Sequence, residues 1–237
     1  MPDPARVRAM FARIAGRYDL LNRVLSMGID KRWRSRAVSR AGDVRGRIVV
    51  DACCGTGDLS LAFAEAGARV VGVDFTPEML ELAGPKLRAD SRTALFAHGD
   101  CLRLPLRSRT AEVCSAAFGV RNLADPDAGL LEMARVVKGG GQVLVLEFTT
   151  PDGAILSRLY RFYFTRVLPR IGRLVSRDAD AYSYLPRTVL AWPSPQEFQA
   201  RLERAGLVEC GFERMTRGIA CLHWGRVPSA LSKSAGP

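Results

Sequence analysis

The stretch that decides the fold is residues 48–58, which read Ile-Val-Val-Asp-Ala-Cys-Cys-Gly-Thr-Gly-Asp. A short β-branched run breaks here into a turn that contains Gly55 and Gly57. Glycine tolerates positive φ and lets backbone N–H groups approach a ligand that a Cβ would push away. Asp74 ends a second apolar run nineteen positions after Gly55, and a carboxylate at a strand tip can accept both hydroxyls of a ribose. The stretch therefore predicts a pocket for a nucleoside.

Strand and helix patterns alternate on both sides of this turn. The predicted order is strand 47–52, helix 58–66, strand 69–74, helix 77–88, strand 94–98, strand 111–118, helix 126–137 and strand 141–148, with the glycines at 139–141 ending the last helix. Such alternation predicts a mostly parallel sheet with helices on both faces. Ligands of such sheets bind beyond the carboxyl ends of the strands, so we expect the strand ends to face one crevice.

The flanking segments complete an α/β, Rossmann-like fold. Apolar residues from Val7 to Leu25 recur every three or four positions, which predicts an amphipathic helix. We expect a basic helical N-terminal lid (1–46), the α/β core (47–150), a substrate-side insertion of helix and then ordered loop (151–193), a helix with an edge hairpin of strands 207–212 and 218–227 (194–227), and a tail (228–237). The hairpin is expected to be antiparallel.

Length and composition favour one substantial core. The chain has 237 residues, of which 48% are hydrophobic. No run approaches the roughly 18 apolar residues of a membrane span, and the N-terminus lacks the apolar core of a secretory signal. A cytoplasmic protein is therefore expected. The six cysteines show no Cys-x-x-Cys spacing and are expected to be free thiols.

The net charge of +11 is concentrated near the N-terminus. Twelve basic and four acidic residues precede residue 48. Positive potential attracts polyanions and anionic lipid surfaces. A basic amphipathic helix can contact a membrane, although its arginines can equally be solvated on an ordinary lid.

The glycine turn favours S-adenosylmethionine over a dinucleotide. A dinucleotide fingerprint needs a third glycine three residues after the second, and Ser60 stands there. Asp58, directly after Gly57, suits a cation such as the ammonium of an amino acid better than a pyrophosphate. Asp100 could accept from the amine of adenine, and Asp51 either contacts the cofactor or only braces the loop. A positively charged sulfonium donor suits such a carboxylate-lined pocket.

Six segments carry a family resemblance. They are residues 11–22 (FARIAGRYDLLN), 54–58 (CGTGD), 117–122 (AFGVRN), 146–148 (LEF), 167–172 (VLPRIG) and 178–185 (DADAYSYL). Together they resemble the successive signatures of the UbiE/MenG family of quinone-biosynthesis C-methyltransferases, over nearly the whole chain. The resemblance implies a class I methyltransferase fold and methyl transfer from S-adenosylmethionine to a ring carbon of a polyprenylated quinol. Demethylmenaquinol is the favoured substrate, and a methoxy-benzoquinol of ubiquinone biosynthesis is the alternative.

A set of eight residues is expected to bind the cofactor. The resemblance implies contacts from Thr56, Asp74, Asp100 and Cys101 and at the position of Ala117, and the predicted crevice adds Asp51, Gly55 and Gly57. Two positions depart from the family pattern. Ala117 replaces a serine that is often seen, and Cys53-Cys54 stands where some members have glycine.

Ring-carbon methylation requires a quinol hydroxyl to lose its proton and push charge into the ring. The protein must align two partners, accept or relay a proton, and exclude water, and no metal is required. The expected catalytic residues are Arg121, Asn122 and Tyr182, and the expected substrate contacts are Tyr18, Asp178 and Tyr184.

Several of these residues have a structural alternative. Arginine keeps its proton, so Arg121 is assigned to phenolate stabilisation or water orientation, and a salt bridge with Asp125 or a C-terminal carboxylate is the alternative. Tyr182 and Tyr184 could equally pack in the core. His98 and His223 lie within strand patterns and are expected to be structural histidines.

The expected partners are a polyprenylated quinol and, through the N-terminus and residues 156–174, the inner surface of an anionic membrane. The sequence leaves open whether the protein forms a homodimer. Nucleic acid is not expected, since the chain lacks the Asn/Asp-Pro-Pro-aromatic box and the Pro-Cys nucleophile of RNA methyltransferases. Three competing hypotheses are a methyltransferase for RNA, a methyltransferase for a different small aromatic or lipid, and a non-catalytic binding module, which the intact glycine turn disfavours.

Overall fold

The computed structural model describes residues 3–26, 28–86, 94–151, 153–167 and 179–229. Its helices are α1 (Pro4–Ser26), α2 (Asp30–Ala41), α3 (Asp58–Glu65), α4 (Pro77–Lys86), α5 (Pro126–Val136), α6 (Ala154–Phe162), α7 (Ala179–Leu190) and α8 (Pro195–Arg204). Its strands are β1 (Ile48–Ala52), β2 (Arg69–Asp74), β3 (Ala94–His98), β4 (Ala111–Ala117), β5 (Val137–Phe148), β6 (Val208–Met215) and β7 (Ala220–Arg226). Single turns of 3₁₀ helix lie at Val120–Asn122 and Thr216–Gly218, and a π-helical turn follows α6 at Tyr163–Val167.

The strands form one sheet in the order β3-β2-β1-β4-β5-β7-β6. β1 to β5 are parallel, and β7 runs antiparallel to both β5 and β6. The predicted mostly parallel sheet with an antiparallel C-terminal hairpin is therefore confirmed. The strand order reverses between β1 and β4, and ligands of such sheets bind at this switch point, beyond the carboxyl ends of the strands.

Hydrophobic packing covers both faces of the sheet. On β5, Leu144 and Leu146 point to the face covered by α2 and α3, while Val143 and Val145 point to the face covered by α5 and α8. This alternation is the period of two that a strand imposes. With both faces buried, the central strands are largely apolar runs, and Asp51, Asp74 and Glu147 lie at or near their carboxyl ends.

Local sequence signals set several helix starts. Asp125 caps α5 by accepting hydrogen bonds from the backbone N–H groups of Asp127 and Ala128, both at 3.0 Å, and Pro126 follows at the first helical position. Ser194 and Glu197 form a capping box at the start of α8.

The predicted role of the glycines at 139–141 was wrong. α5 ends at Val136, and β5 begins at Val137, before these glycines. Ala111 pairs with Val137, whereas Val113 pairs with Gln142, so the strand bulges between them. A Cβ on Gly141 would lie 2.5 Å from the carbonyl oxygen of Glu112. The glycines thus permit a close bulge within the strand.

Residues 179–190 of the substrate-side insertion are also helical, where an ordered loop was predicted. α7 continues through Pro186. Leu185 and Val189, four positions apart, pack around the buried ring of Tyr160. Burial of this stripe outweighs the local tendency of proline to interrupt a helix. None of the helices in the described ranges combines the length and apolarity needed to span a bilayer.

Candidate active site

A cavity of about 90 Å³ lies beyond the carboxyl ends of β1, β2, β3 and β4, beneath α1. Its lining includes seven residues that the sequence placed in the site: Tyr18, Gly55, Asp74, Asp100, Cys101, Ala117 and Asn122. The remaining wall is largely apolar, with Phe11, Phe75, Met79, Leu102, Phe118 and Leu123. The structure therefore brings acidic strand ends and hydrophobic side chains into one chamber.

Asp74 ends β2 and is nearly buried. Its carboxylate accepts one hydrogen bond from the backbone N–H of Gly55 at 2.8 Å and another from that of Thr76 at 2.9 Å. Burial raises the pKa of Asp74, and the two N–H groups oppose that rise. Each carboxylate oxygen keeps a second acceptor position, which suits the two hydroxyls of a ribose.

Asp51 lies deeper, near the end of β1. One of its carboxylate oxygens accepts a hydrogen bond from the Ser60 hydroxyl at 2.6 Å, and the other is buried with no partner. Burial raises the pKa of Asp51 to about 7. A buried carboxyl group with a spare acceptor would be stabilised in its charged form by a nearby cation.

The glycine turn packs tightly against its neighbours. Gly55 and Gly57 both have positive φ, at 54° and 81°. A Cβ on Gly57 would lie 3.0 Å from the ring of Phe96. Backbone conformation therefore favours glycine at both positions, and space also favours it at Gly57.

Asp58 is already paired, in contrast to its expected use for a ligand cation. Lys86 donates to its carboxylate at 2.7 Å, and the guanidinium of Arg34 lies 3.7 Å away. These two side chains balance its charge at the start of α3.

Thr56 ties the turn to the N-terminal helix. Its hydroxyl donates to the Asp19 carboxylate at 2.6 Å, and Lys86 lies 2.6 Å from the other oxygen of Asp19. Thr56 is buried in this arrangement. The contact fastens α1 over the glycine turn, and Asp19 was not identified from the sequence, although it lies within the quoted segment 11–22.

Asp100 and Cys101 line the cavity next to the turn. Asp100 is exposed, and its carboxylate accepts a hydrogen bond from the backbone N–H of Leu102 at 2.8 Å. Cys101 is buried, and its sulfur accepts a hydrogen bond from the backbone N–H of Cys53 at 3.0 Å.

Arg121 is buried in the 3₁₀ turn after β4, beside the cavity lining. Its guanidinium lies 2.7 Å from the carboxylate of Glu147, and its backbone N–H donates to the same carboxylate at 3.2 Å. It also donates to the carbonyl of Phe118 and lies over the ring of Phe148, 5.5 Å from its centroid. The partner is thus Glu147, at the end of β5, whereas Asp125 is occupied in capping α5.

Asn122 connects this turn to α7. Its amide donates to the carbonyl of Phe118 at 3.3 Å and accepts from the Tyr184 hydroxyl at 3.1 Å. Tyr18 reaches the cavity from α1, and burial raises its pKa despite the opposing effects of Asn22 and Arg121. Tyr182 lies on α7, where its side chain is not described, and Asp178 lies outside the described residues.

Sequence reasoning missed Lys86 and Glu147 as well as Asp19. Glu147 had a usable signal, because it is a charged residue at the end of the apolar run 143–146. Lys86 had none, since its pairing with Asp19 joins two helices far apart in the chain.

The donor set fits S-adenosylmethionine. Asp74 offers acceptors for ribose hydroxyls, the free oxygen of Asp51 suits a positively charged group, and the apolar wall suits an adenine ring. Ligand pockets typically measure about 300–1,000 Å³, so the cavity must widen to hold a molecule of this size. Because α1 contributes Phe11 and Tyr18 to the lining, its displacement is the simplest way to widen it.

Residues 2–227 match the profile of the family described as the ubiE/COQ5 methyltransferase family. The chain is 45% identical to the demethylmenaquinone methyltransferase of Deinococcus radiodurans over 216 residues, which cover 90% of this chain and 89% of that protein. It is 43% identical to the ubiquinone/menaquinone biosynthesis C-methyltransferase of Geobacter sp. (strain M21), over 93% of this chain and 95% of that protein.

A solved structure shares the fold at low sequence identity. The phosphoethanolamine N-methyltransferase 2 of Haemonchus contortus, in complex with S-adenosyl-L-methionine, superposes with a TM-score of 0.63 at 13% identity. The match covers 83% of this chain and 52% of that chain.

Proposed function

Because the chain belongs to the ubiE/COQ5 methyltransferase family, we propose that it transfers a methyl group from S-adenosylmethionine to a ring carbon of a polyprenylated quinol. Demethylmenaquinol is the favoured substrate, given the names of its relatives. The observation that carries the proposal is the cavity that Asp74, Gly55, Tyr18 and Asn122 line together with apolar side chains.

The cofactor would be held by the residues around the glycine turn. Asp74 would accept the ribose hydroxyls, Asp51 would face the positively charged amino acid portion, and Asp100 would lie near the adenine. Gly55, Gly57, Cys101 and Ala117 would shape the wall, while Thr56 would act by holding α1 through Asp19. When bound, the cofactor supplies an electrophilic methyl group.

The quinol would lie on the side of Arg121 and Asn122. Glu147 holds the Arg121 guanidinium, whose positive charge would stabilise the phenolate formed when a hydroxyl of the quinol loses its proton. Asn122, positioned by Tyr184, would orient the ring or a water molecule that carries the proton away. The raised pKa of Tyr18 keeps its hydroxyl protonated, so Tyr18 would act as a hydrogen-bond donor.

Tyr182 and Asp178 complete the proposed substrate side. Tyr182 lies on α7, two residues before Tyr184. Its placement on this helix supports a role near the ring, and Asp178 precedes the helix directly.

The substrate would enter from a membrane surface. α1 exposes Arg6 and Arg8, and its Leu20 is 55% exposed. Phe162, at the end of α6, is 59% exposed. Basic and apolar side chains exposed on the same elements support peripheral contact with an anionic bilayer at its cytoplasmic face. Sedimentation with anionic and with neutral liposomes tests this, and equal, negligible binding to both would exclude it.

The function is tested by incubating purified protein with methyl-labelled S-adenosylmethionine and the demethyl precursors of menaquinol and ubiquinol in detergent. We expect label in the menaquinol product, identified by mass. No labelled quinol with either precursor would exclude the proposal, and label only in the benzoquinol would reassign the substrate. Light scattering on the same preparation tests whether the protein is a homodimer.

A further inference from the structure

Two cysteines on neighbouring segments line the cavity. Cys53 begins the glycine turn after β1, and Cys101 follows Asp100 in the loop after β3. The backbone N–H of Cys53 lies 3.0 Å from the sulfur of Cys101. That sulfur is therefore within about 4.5 Å of the Cα of Cys53, because an N–Cα bond measures about 1.46 Å.

We propose that Cys53 and Cys101 form a reversible disulfide, with a quinone as oxidant, and that the oxidised protein binds S-adenosylmethionine weakly. Each thiol loses one proton and one electron as the sulfur–sulfur bond forms, and the quinone takes up both protons and both electrons to become a quinol. The choice of oxidant rests on the proposed function, because a quinone is the oxidised form of the proposed substrate.

The side chain of Cys53 is directed by its surroundings. Cys53 has a positive φ of 55°. Its Cβ lies only 2.4 Å from the position that a Cβ on Gly119 would occupy. Cys53 is partly exposed and lines the cavity, so an oxidant there can reach it. Among the described residues, no group of three side chains that could ligate a metal includes this pair.

The neighbouring Cys54 provides a matched control. Its sulfur lies against β2, 3.0 Å from the position that a Cβ on Gly72 would occupy. Cys54 does not line the cavity. The two adjacent cysteines therefore point to different surroundings, and of the two only Cys53 is hydrogen-bonded to Cys101.

A disulfide here would connect the glycine turn to the loop that carries Asp100. These are two walls of a cavity of about 90 Å³, which must widen before it can hold the cofactor. A covalent link takes the Cys101 sulfur away from the backbone N–H of Cys53 and fixes the two segments to each other, which alters the lining that they offer the cofactor. The neighbouring Cys101 thiol and burial raise the pKa of Cys53. Because the thiolate is the reactive form, oxidation should accelerate as the pH rises above neutrality.

The test treats the reduced full-length protein with diamide, or with a soluble benzoquinone whose ring positions are all substituted, so that thiols cannot add to the ring. We expect both reagents to remove two hydrogens from the intact mass and to yield one linked peptide pair containing Cys53 and Cys101. Calorimetry should show the affinity for S-adenosylmethionine falling by about tenfold or more and returning with dithiothreitol.

Cys53→Ser should remove both the link and the sensitivity of cofactor affinity to oxidant, whereas Cys54→Ser should keep both. A different linked pair, a quinone-treated protein without the link, or an oxidised protein with full cofactor affinity would overturn the proposal. The labelled-methyl assay on reduced protein separates the two ideas. If diamide closes the link and weakens binding but no quinol is ever methylated, the proposed function fails while the thiol pair stands.

Discussion

The guanidinium of Arg121 lies 2.7 Å from the carboxylate of Glu147, and both side chains are buried. A buried ion pair of this kind fixes the positions of its two side chains more reliably than it stabilises the fold, because the cost of desolvating both charges offsets much of their attraction. Removing one partner leaves the other as an uncompensated buried charge. Arg121 is also held by its own backbone N–H and by the carbonyl of Phe118, so its position beside the cavity is determined on three sides.

We therefore predict that Glu147→Gln slows turnover while it leaves cofactor affinity close to that of the wild type. Glu147→Ala should also lower the free energy of unfolding by about 3–5 kcal/mol. Glu213→Gln removes the carboxylate of an exposed pair with Arg36 and should change neither quantity appreciably. Steady-state turnover assays and urea denaturation measure both effects. Normal turnover in Glu147→Gln would refute a positioning role.

Asp74→Ala should abolish cofactor binding, whereas Arg121→Ala should retain it and slow turnover. Asp74 is bonded to the glycine turn, while Arg121 lies toward the proposed quinol. Calorimetry and steady-state kinetics separate the two effects. Asp43→Asn, at an exposed carboxylate paired with Arg45, is the control for loss of an acidic side chain. Equal cofactor affinity in Asp74→Ala and the wild type would contradict the assignment.

Cofactor affinity should rise with pH up to about neutrality. Burial raises the pKa of Asp51 from 3.8 to about 7, so below this value the carboxyl is protonated and must lose its proton to face a cation. The dissociation constant should decrease by up to about tenfold per unit between pH 5.5 and 7. Asp51→Asn should bind more weakly and lose this dependence. A wild-type affinity that is flat over this range would show that Asp51 does not face the cofactor.

Lys86→Met should accelerate both association and dissociation of the cofactor. Lys86 and Thr56 hold Asp19, and with it α1, over the cavity. Loss of one contact lowers the barrier to displacing α1. Lys138→Met, which removes a pair with Glu112 away from the cavity, is the matched control. Stopped-flow fluorescence measures the rates, and unchanged rates in Lys86→Met would argue against α1 as a moving lid.

Stability should decrease as the pH falls from 6.5 toward 4. His223 is fully buried on β7, and burial lowers its pKa from 6.5 to about 4. Between these values the unfolded chain binds a proton that the folded chain does not, so the free energy of unfolding falls by up to about 3 kcal/mol. His223→Gln should flatten this slope, whereas His98→Gln, at an exposed histidine, should keep it. Urea denaturation between pH 4 and 8 provides the measurement.

The sequence predicted local structure correctly where residues close together in the chain determine it. The glycine turn at Gly55 and Gly57 and the apolar runs of β1 and β2 were predicted, because each depends on residues only a few positions apart. The role of the glycines at 139–141 and the helix α7 were mispredicted for the opposite reason. Their conformations are set by pairing with β4 and by packing on Tyr160, which are contacts between distant segments.

The sequence by itself determined that acidic side chains and a glycine turn follow parallel strands, since strand ends collect at one edge of such a sheet. Only the tertiary structure decided which charges remain for a ligand. Asp58 is balanced by Lys86, Arg121 by Glu147, and Thr56 is bonded to Asp19, whereas Asp51 keeps an oxygen without a partner. The physical reason is that these pairings join residues from separate helices and strands, and no spacing along the chain encodes such distances.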